Sequence, residues 1–130
     1  MTKEEVIRYW VESSEIDFQA MESLFENGHY VWALFTGHLV LEKLLKALYA
    51  KNVDTNAPRI HHLLRLARMA RLDISVEQEE FLLEVTTFNL EARYPDIKYR
   101  LYKRATRTFV EDRIRGIKEF REWLREKTSE

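Results

Sequence analysis

Residues 30–51 read YVWALFTGHLVLEKLLKALYAK, and the reading of this stretch decides the fold. Val31, Leu34, Phe35, Leu41, Leu45 and Leu48 recur at helical steps, and Trp32, Leu39 and Val40 broaden the apolar stripe. A stripe that wide predicts a helix covered on most sides, the centre of a helical domain. His38, Glu42 and Lys46 stand four residues apart along it, so all three fall on one line of an otherwise apolar helix. Charged groups in that setting need partners, and the line reads as a buried polar network that fixes helix register or contributes to a ligand site.

The flanking segments read as further helices. Thr2-Lys3-Glu4-Glu5 has capping-box spacing, and Val6, Trp10, Ser13, Ala20 and Leu24 mark one face of a helix closed by Asn27-Gly28. Asp17 falls on that face, which predicts a buried carboxylate paired with Lys46 or His38. Asn52 to Pro58 is a loop, and a short helix is expected from about His61 to Arg71. Ser75 and Gln78 form a second capping box before Phe81, Leu82, Val85, Phe88 and Asn89. Pro95 disfavours helical geometry at Tyr94, so Ala92-Arg93-Tyr94-Pro95-Asp96 predicts a break. The last helix is expected over about Lys103 to Lys127, with Gly116 letting another helix come close. The sum is an all-α, up-and-down bundle of about five helices in a single domain, residues 1–130.

Composition agrees. Hydrophobic residues make up 45% and charged residues 33% of 130, a globular balance. No apolar run nears the roughly 20 residues of a membrane span, the N-terminus is polar rather than signal-like, and cysteine is absent. A cytoplasmic protein without membrane contact is expected. Three Trp and seven Phe exceed what one small bundle readily hides, which predicts a homodimer.

Net charge is −1, but residues 93–107 carry Arg93, Lys98, Arg100, Lys103, Arg104 and Arg107 against Asp96 alone. These cations interleave with Tyr94, Tyr99 and Tyr102, a combination suited to phosphates and stacked bases. The readings are a solvated basic helix start, tyrosines serving as core or dimer contacts, or a nucleotide or RNA site. Metal chemistry finds no ligand set: His61 and His62 are adjacent, so on a helix their side chains diverge by about 100°. No cofactor is expected, because three scattered glycines build neither a phosphate loop nor a dinucleotide fingerprint.

Four pieces in order resemble the HEPN family of helical nucleotide-binding and RNA-processing domains. They are Trp10 to Ala20 with Tyr30-Val31-Trp32-Ala33, then His38-Leu39-Val40-Leu41-Glu42-Lys43-Leu44-Leu45-Lys46-Ala47, then His61-His62-Leu63, then Ala92-Arg93-Tyr94-Pro95-Asp96 before a long helix. The resemblance implies a dimeric bundle, in many members the partner of a small nucleotidyltransferase in a toxin–antitoxin pair. It also implies, for toxic members, metal-independent RNA cleavage by an arginine and a histidine four to six residues later. Arg93 matches that arginine, but no histidine follows it. Lys98, Tyr99 and Arg100 occupy the nearby positions, and unperturbed Lys and Tyr titrate near about 10, too high for a base at neutral pH. The resemblance therefore implies nucleotide or RNA binding by Arg93, Tyr94, Asp96, Lys98 and Arg100. The alternatives are a ribonuclease with a rearranged acid–base pair, drawing on His38 or His61, and a purely structural dimer.

Overall fold

Both predicted capping boxes form. Thr2 Oγ1 accepts from the Glu5 amide at 3.1 Å while Glu5 Oε1 accepts from the Thr2 amide at 3.2 Å, and Ser75 and Gln78 exchange the equivalent bonds at 3.1 and 2.9 Å. They open two of six helices in a computed structural model that describes residues 1–130 and contains no strand. The order is α1 (Lys3–Glu26), α2 (Tyr30–Asn52), α3 (Leu63–Met69), α4 (Val76–Glu91), α5 (Pro95–Arg104) and α6 (Arg107–Ser129).

α2 is the central helix, as its sequence predicts. It contacts every other helix, and Leu34, Val40, Leu41, Leu44 and Leu45 are completely buried. Each such leucine contributes about 1.5–3 kcal/mol relative to an exposed one. Trp32 is the exception, 43% exposed at the start of the helix.

Side-chain pairs give the directions. The tight turn at Gly28, where φ is 80°, returns the chain antiparallel from α1 to α2. Glu22 pairs with Lys118 and Glu15 with Arg121, so α1 runs antiparallel to α6. Gly37 faces Ile117, and Lys51 Nζ donates to the Lys127 carbonyl at 2.8 Å, so α2 and α6 run the same way. Arg113 binds Glu84 and Phe120 stacks on Phe81, which makes α4 antiparallel to α6.

The structure departs from the sequence reading at several places. The count is six helices rather than about five, because the break spans only Ala92, Arg93 and Tyr94 and the chain turns helical again at Pro95. Tyr94 is extended and caps α5, and Pro95 takes the first helical position, where a missing N–H costs nothing. The last helix then starts at Arg107, capped by Thr106, whose hydroxyl accepts from the Phe109 amide at 3.2 Å. α3 is shorter than expected: His62 caps it through its ring nitrogen, and Arg71 at φ 63° stops it. The inner face of α1 is rotated, with Ser14 and Met21 buried and Ala20 exposed.

Close approach is built in at two glycines. A Cβ on Gly116 would lie 2.7 Å from the Phe81 ring, the contact between α4 and α6 that its sequence position predicts. A Cβ on Gly37 would lie 2.6 Å from Ile117 Cδ1 and 3.1 Å from Met21 Sδ. Both neighbours are fully buried and have nowhere to go. Gly37→Ala is therefore expected to destabilise by about 1–3 kcal/mol, the usual cost of overpacking, although alanine is the better helix former by about 1 kcal/mol. Urea titration checks this, and an unchanged midpoint would show that Ile117 yields freely.

Candidate nucleic-acid interface

The polar line on α2 forms a network, joined by groups from α3's approach and α4. His38 is fully buried. Its Nε2–H donates to the His61 carbonyl at 2.8 Å, and its Nδ1 accepts from Asn89 Nδ2 at 3.2 Å. These partners fix one neutral tautomer and leave the ring no free nitrogen. Burial pushes the His38 imidazole below its ordinary value of 6.5, and Arg93 adds to the depression, against an upward pull from the His61 carbonyl and Glu42. Glu42, 5% exposed, receives Lys46 Nζ on Oε2 at 3.2 Å and His61 Nδ1 on Oε1 at 2.7 Å. Lys46 also lies 5.4 Å from the centroid of the Trp10 ring.

Asp17 does not belong to this network. It pairs with Lys43, 2.7 Å away, and not with Lys46 or His38, and its side chain is 18% exposed. The α1 face is rotated away from the line that His38 and Lys46 occupy. Lys43, one position past Glu42, therefore meets Asp17.

The basic segment is mostly on the surface. Arg93, Tyr94, Asp96 and Arg100 are exposed, and Lys98 is half-buried. Arg104 pairs with Glu91 at 3.5 Å and Arg107 with Glu111 at 3.9 Å, which leaves Arg93, Lys98, Arg100 and Lys103 without a carboxylate in ion-pair range. Two of the five expected binding residues thus combine exposure with unpaired positive charge: Arg93 and Arg100. Lys98 points back to α2, its Nζ 4.1 Å from the centroid of the Trp32 ring. With Tyr102 it lines a groove of about 240 Å³ against residues 28–32 and Ala105. Tyr94 caps α5 by its backbone, so its ring is free, and Asp96 sits in the first turn of α5.

Sequence reasoning misses the roles of two participants. Trp32 reads as part of the core stripe, yet it faces the groove. Asn89 reads as an inner-face residue, and its bond to His38 needs the fold. His61, an alternative base in the sequence, lies just before α3 and binds Glu42. Asn89 is on the last turns of α4, and Arg93 follows two residues after that helix ends. No group of histidines and carboxylates with metal-site geometry is present, and no helix is long and apolar enough to cross a membrane.

The chain is a helical bundle with a polar network at its centre and an exposed, cationic and aromatic helix at its edge. A model of the HEPN domain matches residues 7–127, and the chain belongs to the HEPN family, whose members include nucleotide- and RNA-binding modules. No curated protein and no solved structure matches the chain.

Burial of neutral His38 carries a pH consequence. Its folded pKa lies below the unfolded 6.5. The unfolded chain therefore takes up the proton first, so the contribution of His38 is complete above 6.5 and is lost as pH falls from there through the folded value. Urea unfolding between about pH 7.5 and pH 5.5 should show stability falling with acidification, with a shallower fall in His38→Gln. Equal slopes in the two proteins would exclude His38 as the titrating group.

Proposed function

We propose that this HEPN domain binds single-stranded RNA along α5 as a homodimer in the cytoplasm, partnered by a nucleotidyltransferase-domain protein in a toxin–antitoxin-like pair. The observation that carries the binding reading is the meeting of Trp32, Lys98 and Tyr102 in one groove, formed in part by the segment that also carries the exposed, unpaired cations Arg93 and Arg100. Aromatic faces hold bases without regard to sequence, and guanidinium groups hold phosphates bidentately. A groove of about 240 Å³ admits a single ring system and leaves the phosphates to the exposed arginines.

Dimerisation is supported by a second feature. Val76, Leu83 and Leu90 are 64%, 44% and 54% exposed and stand seven residues apart along the outer side of α4. That spacing keeps one apolar seam in register with a second helix. The expected solution mass is twice the 15.7 kDa of the chain, and Leu83→Glu should return it to monomer in light scattering at micromolar concentration. A monomeric wild type would refute the pairing.

RNA binding is tested by fluorescence anisotropy on a short labelled strand. Affinity should fall with salt at a log–log slope of about −0.7 per phosphate neutralised. Arg93→Ala should weaken binding more than Arg125→Ala, since Arg125 lies near Glu15 in a mixed-charge region at 3.9 Å. Trp32→Ala should cost about 1–3 kcal/mol if a base stacks there. Equal affinity in wild type, Arg93→Ala and Trp32→Ala would remove the proposed site.

A further inference from the structure

A groove of about 310 Å³ lies between α4 and α6 and shares no residue with the groove at Lys98. Gly116 shapes it. With no Cβ there, the Phe81 ring reaches across from α4 to the α6 backbone, to 2.7 Å from where that atom would stand. Phe81 stacks on Phe120 with centroids 6.1 Å apart and planes 17° apart, and Trp123 stands edge-on to Phe120 at 5.5 Å and 86°. The lining thus has two aromatic walls close to a right angle. Phe81 and Trp123 are half-buried, so each keeps part of its ring open to solvent. Glu77 from α4 and Glu119 from α6 bring a carboxylate to the groove from each helix, and both are exposed. No lysine or arginine lines the groove. The neighbouring carboxylates Glu84 and Asp112 are each matched by Arg113 at 2.6 Å, whereas Glu77 and Glu119 have no cation in ion-pair range.

Aromatic walls beside unpaired carboxylates select a ligand by charge and by shape. A phosphate would meet two negative charges, so the groove is no second seat for RNA. A metal ion finds no set of three ligating side chains there. A neutral apolar group would cover the rings but strip water from the carboxylates without giving them a partner. An ammonium on a chain of methylenes meets both needs: the stem lies along the rings, the charge is drawn to their faces, and the N–H groups donate to carboxylate oxygens. Trp123 already attracts one such cation, Lys127, whose Nζ is 5.0 Å from the ring centroid and which is not part of the groove lining. The two carboxylates come from different helices with the rings among them, so a ligand with two ammonium groups joined by methylenes answers each, and a single lysine side chain leaves one unmatched. We propose that the groove between α4 and α6 binds a linear aliphatic polyamine, with its methylenes on Phe81, Phe120 and Trp123 and its ammonium groups at Glu77 and Glu119. Neither the RNA strand nor Arg93 takes part in this site.

The test titrates the isotope-labelled full chain with spermidine at fixed ionic strength and follows the Gly116 amide and the Trp123 indole N–H by NMR. Spermidine is expected to shift both signals to saturation. Butylamine, a monoamine that can answer only one carboxylate, is expected to bind about 2–5-fold more weakly, the worth of one exposed ion pair. Magnesium ion should leave the Trp123 signal in place. Glu119→Gln, a change at an exposed position, should weaken spermidine by the same factor of about 2–5, and Trp123→Ala by about 5-fold, the size of a partly exposed cation–π contact. Four results would each overturn the site: no saturable shift at Gly116 and Trp123, equal affinity in wild type and Glu119→Gln, butylamine binding as tightly as spermidine, or magnesium reproducing the same shifts. Tighter binding of a blocked peptide with a single lysine than of spermidine would overturn the polyamine in favour of a protein side chain.

Discussion

A carboxylate buried at the middle of the central helix is the constraint on which much of the arrangement depends. Glu42 is 5% exposed on α2, between Leu41 and Leu44–Leu45. A buried, unpaired charge costs several kcal/mol, so the surrounding elements are placed to satisfy it. Lys46 answers from the next turn of α2, and His61 answers from the chain that leads into α3. That approach is held by His38, which in turn is bonded from α4 by Asn89. Leu63 adds a backbone bond to Thr86 Oγ1 at 3.1 Å, a second link between the start of α3 and α4. The register of three segments is thus set by hydrogen bonds around one charge, while the leucines of α2 supply the bulk of the burial.

The charge distribution divides cleanly between neighbouring helices. α4 carries Glu77, Glu79, Glu80, Glu84 and Glu91 and no basic residue, whereas α5 carries Lys98, Arg100, Lys103 and Arg104 against Asp96. Arg104 pairs with Glu91 across the junction, and Arg68 and Arg113 pair with Glu79 and Glu84. The acidic side of α4 is therefore largely consumed inside the protein, while the positive charge of α5 remains available to solvent and ligand.

How much of this was legible in the sequence differs by element. The long periodic stretches and the two capping boxes needed only local rules, and α1, α2 and α4 follow them closely. The polar line on α2 was legible for the same reason: residues four apart must share a face. α5 is not legible, because a proline after an extended residue reads as a break and equally starts a helix. The sequence points Asp17 to Lys46 or His38 and not to its partner Lys43, since the rotation of α1 about its axis is set by packing against α2 and α6 and not by α1 itself. Trp32 and Lys98 stand 66 residues apart in the chain. Their contact depends on how α5 docks, which no local pattern encodes. The position of Arg93 is legible in the sequence, whereas the bond from Asn89 to His38 requires the fold.

The common direction of α2 and α6 has an electrostatic consequence of its own. Peptide dipoles sum along a helix to about half a positive charge at its start and half a negative charge at its end. Side-by-side helices that run the same way bring like ends together. At one end of this protein the two carboxyl-terminal turns meet, and Lys51 donates into the carbonyls that close α6. At the other end the start of α2 at Tyr30 lies near the start of α6, and the groove lined by residues 28–32 and Ala105 is located there. The first turn of α2 has no side-chain cap, so its amide groups keep their partial positive charge. The amides of that first turn therefore add partial positive charge beside Lys98, set against the carboxyl-terminal ends of α1 and α5, which close at the same groove through Gly28 and Ala105.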